Sequence, residues 1–197
     1  MAKQLRGEAT VERLLTAALE VYAAGGQPGF TVNAVTAASG VSLGSLYHHF
    51  GSFDGLATEL YVRCMEEQYD GMLAALRRTR TARTGVRALV TAYLGYAERN
   101  PDAGRFLHGS AYSSYLGVHA ERIRSAKAAK FAEIAAWMRP RIAAGEIAEL
   151  PAPLIEVLLI GPVAVAAHRW LAGPQDMDLP RAVRVLPDRI WRSLQPD

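Results

Sequence analysis

Apolar residues recur three and four positions apart along most of the chain, in blocks separated by Gly, Pro, Asn and short basic runs. The first block, Thr10 to Ala24, sets Leu14, Leu15, Ala18, Leu19 and Tyr22 on one stripe, which predicts an amphipathic helix. Residues 1–8 precede it as a mobile basic arm, and Gly25-Gly26 with Pro28-Gly29 end it. Phe30 then packs under the next block. From Thr31 to Phe53 the spacing predicts two short helices around a tight turn. Thr31 caps the first, in which Val32, Val35 and Ala38 share a face, and Gly40 supplies an unhindered bend. Ser42 caps the second, where Leu43, Leu46 and Phe50 fall three and four apart and leave Ser45, Tyr47, His48 and His49 on the remaining surface.

The remaining blocks are also helical in period. One helix is predicted from Phe53 or Asp54 to Arg78, with Leu56, Leu60, Cys64, Met65, Met72 and Leu76 as its apolar positions. Arg77 to Thr84 reads as a polar, basic linker, a solvated turn rather than a second nucleic-acid site. Further helices are predicted over Gly85–Arg99, Asp102–His108, His119–Ala144, Leu154–Leu171 and Leu179–Leu194, with Gly109–Gly117 as a loop. No Val/Ile/Thr segment alternates at period two. The fold class expected is all-α, with about nine helices. Residues 1–53 form a three-helix head, and 54–197 a helical domain.

Composition changes this picture little. Half of the residues (50%) are apolar, which excludes a disordered chain. The single Cys64 excludes an internal disulfide and suits a reducing cytoplasm. The most apolar run, Val157 to Ala167, is too short to span a membrane and is interrupted by Gly161-Pro162. Residues 1–14 have no apolar stretch of signal-peptide type, so a cytoplasmic protein without a membrane partner is expected.

Charge matters more. The chain carries +3, yet residues 1–60 hold three basic groups (Lys3, Arg6, Arg13) against five acidic ones, a net −2. A head that meets nucleic acid must then rely on a few placed groups. Those available are Lys3 and Arg6, helix N-termini aimed at phosphates, and protonated His48 and His49. Adjacent His residues on a helix point about 100° apart. No carboxylate or Cys stands at ligand spacing to them, so no metal is expected.

The run Gly40-Val41-Ser42-Leu43-Gly44-Ser45-Leu46-Tyr47-His48-His49-Phe50, preceded by the helix TVERLLTAALEVYAAGG, resembles the signature of the TetR family of bacterial transcriptional regulators. The likeness is specific over about residues 8 to 62. Beyond that it rests on helical layout, length and a family-like stretch from Ile142 to Gly173. It implies a helix-turn-helix head followed by an effector-binding and dimerisation domain. It maps DNA-facing roles onto Thr31, Asn33, Ser42, Leu43, Ser45, Tyr47, His48 and His49. Hydroxyls suit phosphate oxygens, Tyr47 suits a thymine methyl or a phosphate, and Asn33 suits a base edge. Two departures stand out. Gly51 and Phe53 occupy positions where the family often carries Lys, and Leu43 stands where a polar reader is common. Losing those cations lowers nonspecific, salt-dependent affinity.

Tyr69, Met72, Tyr93, Tyr96, Phe106, Tyr112, Trp137, Met138, His168 and Trp170 come from helices expected to surround a central space. Together they suit a pocket for an apolar or aromatic effector, and equally a packed core. The Leu154–Leu171 segment is apolar nearly all round and has only Leu179–Leu194 left in the chain to cover it. A second copy, paired through both helices, is the expected cover, and its symmetry suits a palindromic double-stranded operator. The function expected is a repressor released by a small molecule, not an enzyme and without a cofactor. The alternative is a helical small-molecule-binding protein or enzyme that does not bind DNA. No HExxH, GxSxG or phosphate-cradling Gly loop is present.

Overall fold

The computed structural model describes residues 2–110, 114–173 and 177–196, the side chains of 2–5, 114 and 115 excepted. Tyr112 and the Lys3 side chain therefore lie outside the described set. Ten helical segments and no strand occur among the described residues. They are α1 (Ala2–Gly29), α2 (Val32–Ser39), α3 (Leu43–Phe50), α4 (Phe53–Leu76) and α5 (Ala82–Arg99), then α6 (Pro101–Ser110), α7 (Ser114–Gly117), α8 (Ala120–Ala143), α9 (Ala152–Ala172) and α10 (Leu179–Leu194). These pack as two compact units. One holds the chain up to Met65 with Arg105–Ser125, and the other holds Glu66–Gly104 with the chain from Ala126.

In the first unit, Leu14, Ala18, Val35, Leu46 and Leu56 are fully buried. Phe106 of α6 joins them with no exposed surface. Its ring meets Tyr22 edge-on at 4.8 Å and Phe30 at 5.7 Å, and Phe30 lies 4.9 Å from Phe53. Edge-to-face rings at such spacings gain energy beyond their buried area. A side chain at Gly109 would sit 2.5 Å from Tyr22 Oη, so Gly there lets α6 approach α1.

In the second unit α5, α9 and α10 pack against one another. Val86, Leu89, Val90, Tyr93 and Leu94 of α5 are buried on one face, the recurrence at three and four positions that a helix requires. They share the core with Ile155, Leu159, Val163 and Ala167 of α9 and with Ala182, Ile190 and Leu194 of α10. Trp137 of α8 presses on Gly85, where a Cβ would lie 2.1 Å from the indole Cη2. The Arg141 guanidinium stacks 3.4 Å from the Trp137 ring centroid. Asp188 of α10 accepts from Arg83 at 3.2 Å and from Arg87 at 3.1 Å, both on α5. The Arg83 hydrogen bond, with the charges of both guanidiniums, holds the Asp188 carboxyl below its ordinary range.

Several expectations are corrected. The arm at 1–8 is helical from Ala2, because Lys, Gln, Leu, Arg and Glu are good helix formers and no Pro interrupts them. The helix breaks at Gly26, whose φ of 58° and ψ of −161° suit only glycine. Ala38 is exposed, and of its predicted face only Val35 is buried in α2. The linker is shorter than predicted: Thr81 caps α5 by accepting from the Thr84 amide, while Thr84 Oγ1 accepts from the Thr81 amide. The region read as a loop contains the last residues of α6 and the single turn α7.

The Gly161-Pro162 pair does not interrupt α9, which runs 21 residues. Pro162 removes one backbone donor, a loss that the helix tolerates. By length and composition α9 is long and apolar enough to cross a membrane, and only 28% of its most apolar window is buried in the chain. Its buried face, Ile155, Leu159, Val163, Ala166, Ala167 and Leu171, belongs to a helix packed against α5 and α10. Leu154, Val157 and Val165 remain exposed.

Candidate nucleic-acid interface

The two-helix motif is held by caps that its own side chains supply. Thr31 is extended (φ −128°, ψ 155°), and its Oγ1 accepts from the Ala34 amide at 3.3 Å. Gly40 turns the chain in the left-handed region (φ 62°, ψ 22°). Ser42 Oγ accepts from the Ser45 amide at 3.2 Å, which starts α3. Each cap uses an oxygen lone pair and leaves the hydroxyl proton free to donate outward. Arg13 of α1 donates to the Ser39 carbonyl at 3.0 Å, tying down the end of α2. Ser39 Oγ accepts from the Val41 amide at 3.2 Å and tightens the turn. Beneath it, Val35, Val41 and Leu46 are buried.

All eight residues mapped onto the DNA-facing surface reach solvent. Thr31, Asn33, Ser42, Leu43, Tyr47 and His48 are exposed, and Ser45 and His49 are half-buried. At 100° per residue, Leu46 and Phe50 point inward, and the opposite face centres on His48, with Gly44 about 40° away between it and Tyr47. Gly44 has nothing within 4 Å of the place a Cβ would take, so its backbone lies open. Sequence reading passed over Gly44. Its signal was there: a Gly inside a helix costs about 1 kcal/mol and needs a compensating reason, such as close approach of a partner.

The electrostatics of this face are lean. No Lys or Arg occurs in α2, α3 or the turn between them. Arg63 of α4 is committed to Glu12 of α1 at 2.9 Å, and Asp54 occupies the first turn of α4. Gly51 ends α3 with a φ of 74°, and its amide donates to the Tyr47 carbonyl at 2.9 Å. A lysine at that position would be strained, so the missing family cation is coupled to a glycine turn. The imidazoles of His48 and His49 stand in the last turn of α3, ring centroids 5.2 Å apart, where a helix end favours positive charge. The start of α1 runs beside them: a Cβ on Gly7 would lie 3.7 Å from His49 Cε1.

Of the ten residues read as a pocket, nine are described, Tyr112 being the exception. Tyr69, Met72, Tyr93, Tyr96 and Met138 are buried in the second unit, Trp137 and Trp170 are half-buried, and His168 is exposed. Phe106 belongs to the other unit. Tyr96 Oη lies 3.4 Å from Glu67 Oε2. A cavity of about 490 Å³ does occur in the second unit, between α8 and the start of α9, and Met138 alone of the nine described residues lines it. Among the described residues no cluster of three or more His, Cys, Asp or Glu is placed to hold a metal.

Residues 14–60 match the family model described as bacterial regulatory proteins, tetR family. No curated protein sequence matches the chain. Solved structures share its fold over nearly their whole length. A proposed tetR-family transcription regulator from Shewanella sp. PV-4 is 22% identical with a TM-score of 0.79, covering 95% of this chain and 99% of the other. A TetR-family transcription regulator from Marinobacter aquaeolei VT8 is 19% identical with a TM-score of 0.73, covering 98% and 100%. The transcriptional regulator FadR from Bacillus subtilis, solved in complex with stearoyl-CoA, is 17% identical with a TM-score of 0.79, covering 93% and 99%.

Proposed function

We propose that this chain, with the fold of TetR-family regulators and their N-terminal domain over residues 14–60, is a DNA-binding transcriptional regulator. It acts as a homodimer on a palindromic operator and represses until a small molecule releases it. The observation that carries this reading is the open face of α3, capped by Ser42 and bearing Ser45, Tyr47, His48 and His49 around Gly44. α3 enters the major groove, while Thr31, Asn33 and Ser42 meet phosphates or base edges at its sides. Residues 1–53 do the reading, and 54–197 bind the effector and the second copy. No catalysis or cofactor enters, and the work is cytoplasmic. The stearoyl-CoA held by the similar FadR supports an effector with a substantial apolar part.

Pairing runs through the outward face of α9, where Leu154, Val157 and Val165 lack cover in one chain. α10 contributes less at the centre, because its exposed face sets Val185 among Arg181, Arg184, Arg189 and Arg192. Val157→Glu with Val165→Glu is expected to give monomers in light scattering and to lose operator binding.

The test of the reading is selection of bound fragments from random-sequence duplexes, then a mobility shift across salt concentrations. Two half-sites related by a dyad are expected. Tyr47→Ala with His49→Ala should abolish the shift, and retained binding removes this surface from consideration. The net charge of −2 over residues 1–60 favours one rival, a helical ligand-binding protein that leaves DNA alone. Failure to enrich any duplex, by a folded dimer, selects that rival.

A further inference from the structure

The junction of α8 with the start of α9 encloses a cleft of about 490 Å³. Its walls are largely apolar. Phe131, Met138 and Ile142 form a stripe along α8, and Leu150 and Ile155 line the cleft with them. The volume lies inside the range of about 300–1,000 Å³ common to small-molecule sites. Met138 and Ile155 are buried, but Phe131, Ile142 and Leu150 are only half-buried, so an apolar occupant removes further surface from water.

The polar groups give this cleft a sign. Five of the six cations of α8 are engaged: Arg122 with Glu59, Arg124 with Glu121, Lys127 with Glu156, Lys130 with Asp70, and Arg141 on the Trp137 ring. Arg139 is the sixth. It lines the cleft, is exposed, and has no ion pair among the described residues. The first turn of α9 adds to it. Pro151 and Pro153 have no N–H, and the Leu154 and Ile155 amides both donate to the Pro151 carbonyl. That leaves the amide of Ala152, a residue that lines the same cleft, at the positive end of the helix. Glu149 stands on the lip with the opposite charge.

We propose that this cleft binds a small apolar organic anion. Its hydrophobic body lies on Phe131, Met138, Ile142 and Ile155, and its acid group meets Arg139 with the Ala152 amide as second donor. Glu149 disfavours a second negative charge. The site is separate from the aromatic set suggested by composition, and it does not depend on the DNA-binding reading.

Two probes test it on the full-length protein. 8-Anilinonaphthalene-1-sulfonate and N-phenyl-1-naphthylamine share their rings and differ by the sulfonate. Fluorescence titration is expected to show saturable binding of the anionic probe, weakened about tenfold by Arg139→Gln and tightened by Glu149→Gln. The neutral probe is expected to ignore both changes. Ala135→Trp fills the cleft and should exclude both probes, with circular dichroism verifying its fold. Arg139 and Glu149 are exposed, so their variants carry the test even if the tryptophan variant fails to fold. Unchanged anionic-probe affinity in Arg139→Gln, or unchanged binding to folded Ala135→Trp, overturns the proposal. Probe binding that appears only on dilution to single subunits also overturns it, because a second copy then fills the cleft. A mobility shift with wild-type protein reports DNA binding independently.

Discussion

Gly44 offers a substitution in which stability and DNA affinity should move in opposite directions. Its φ is not among the positive ones, which occur at Gly26, Gly40, Gly51 and Gly145. A methyl group there meets no atom within 4 Å. Gly44→Ala therefore gains helix propensity without strain, worth about 0.5–1 kcal/mol at this early position in α3. For a chain of this size the melting temperature rises by roughly 1–4 °C. The same methyl lies on the face proposed to enter the groove, between Tyr47 and His48. It holds the backbone off the bases and weakens the flanking contacts of Tyr47 and His48. A loss of about 1 kcal/mol per half-site becomes about 2 kcal/mol for a dimer, or roughly thirtyfold in Kd. Thermal unfolding gives the first number, and fluorescence anisotropy on a selected duplex gives the second. A stabilised Gly44→Ala that binds within threefold of wild type would refute close approach of α3, since misfolding is excluded by the same measurement.

His48→Gln with His49→Gln should weaken operator binding in anisotropy titrations, since two ring contacts to the groove walls are lost. Gly85→Ala forces Trp137 to move from a contact that a Cβ would bring to 2.1 Å, at a cost of about 1–3 kcal/mol in urea unfolding. Trp137→Leu should relieve most of that added cost. Asp188 titrates lower in the folded chain than unfolded, so its stabilising effect is complete above the unfolded carboxyl pKa and disappears as pH falls through the folded one. Asp188→Asn should lower the melting temperature at pH 7, and the difference from wild type should shrink as pH falls below the ordinary carboxylate range.

Local signals in the sequence carried far where they act within one helix. The caps Thr31 and Ser42, the left-handed Gly40 and both ends of α10 occur where spacing and side-chain chemistry put them. The start of α1 was misread because Thr10 resembles a helix-start signal while nothing before it forbids a helix. Its hydroxyl instead bonds the Arg6 carbonyl at 2.9 Å inside that helix. Contacts between distant segments left no such trace. Gly85 is explained by Trp137, 52 positions further on, and Phe106 packs with Tyr22 although pattern alone grouped it with Tyr93. Aromatic residues advertise burial, and burial alone does not distinguish a cavity wall from filled space. Gly44 was overlooked for a related reason: its proposed role concerns a partner outside the chain.

The uncovered face of α9 has a genetic corollary. In the proposed dimer, subunits find each other through Leu154, Val157 and Val165 without consulting their reading heads. A copy with a ruined α3 therefore still recruits intact copies. Co-produced in excess, it leaves most of them in mixed pairs that grip only half an operator, so the damaged allele behaves as dominant.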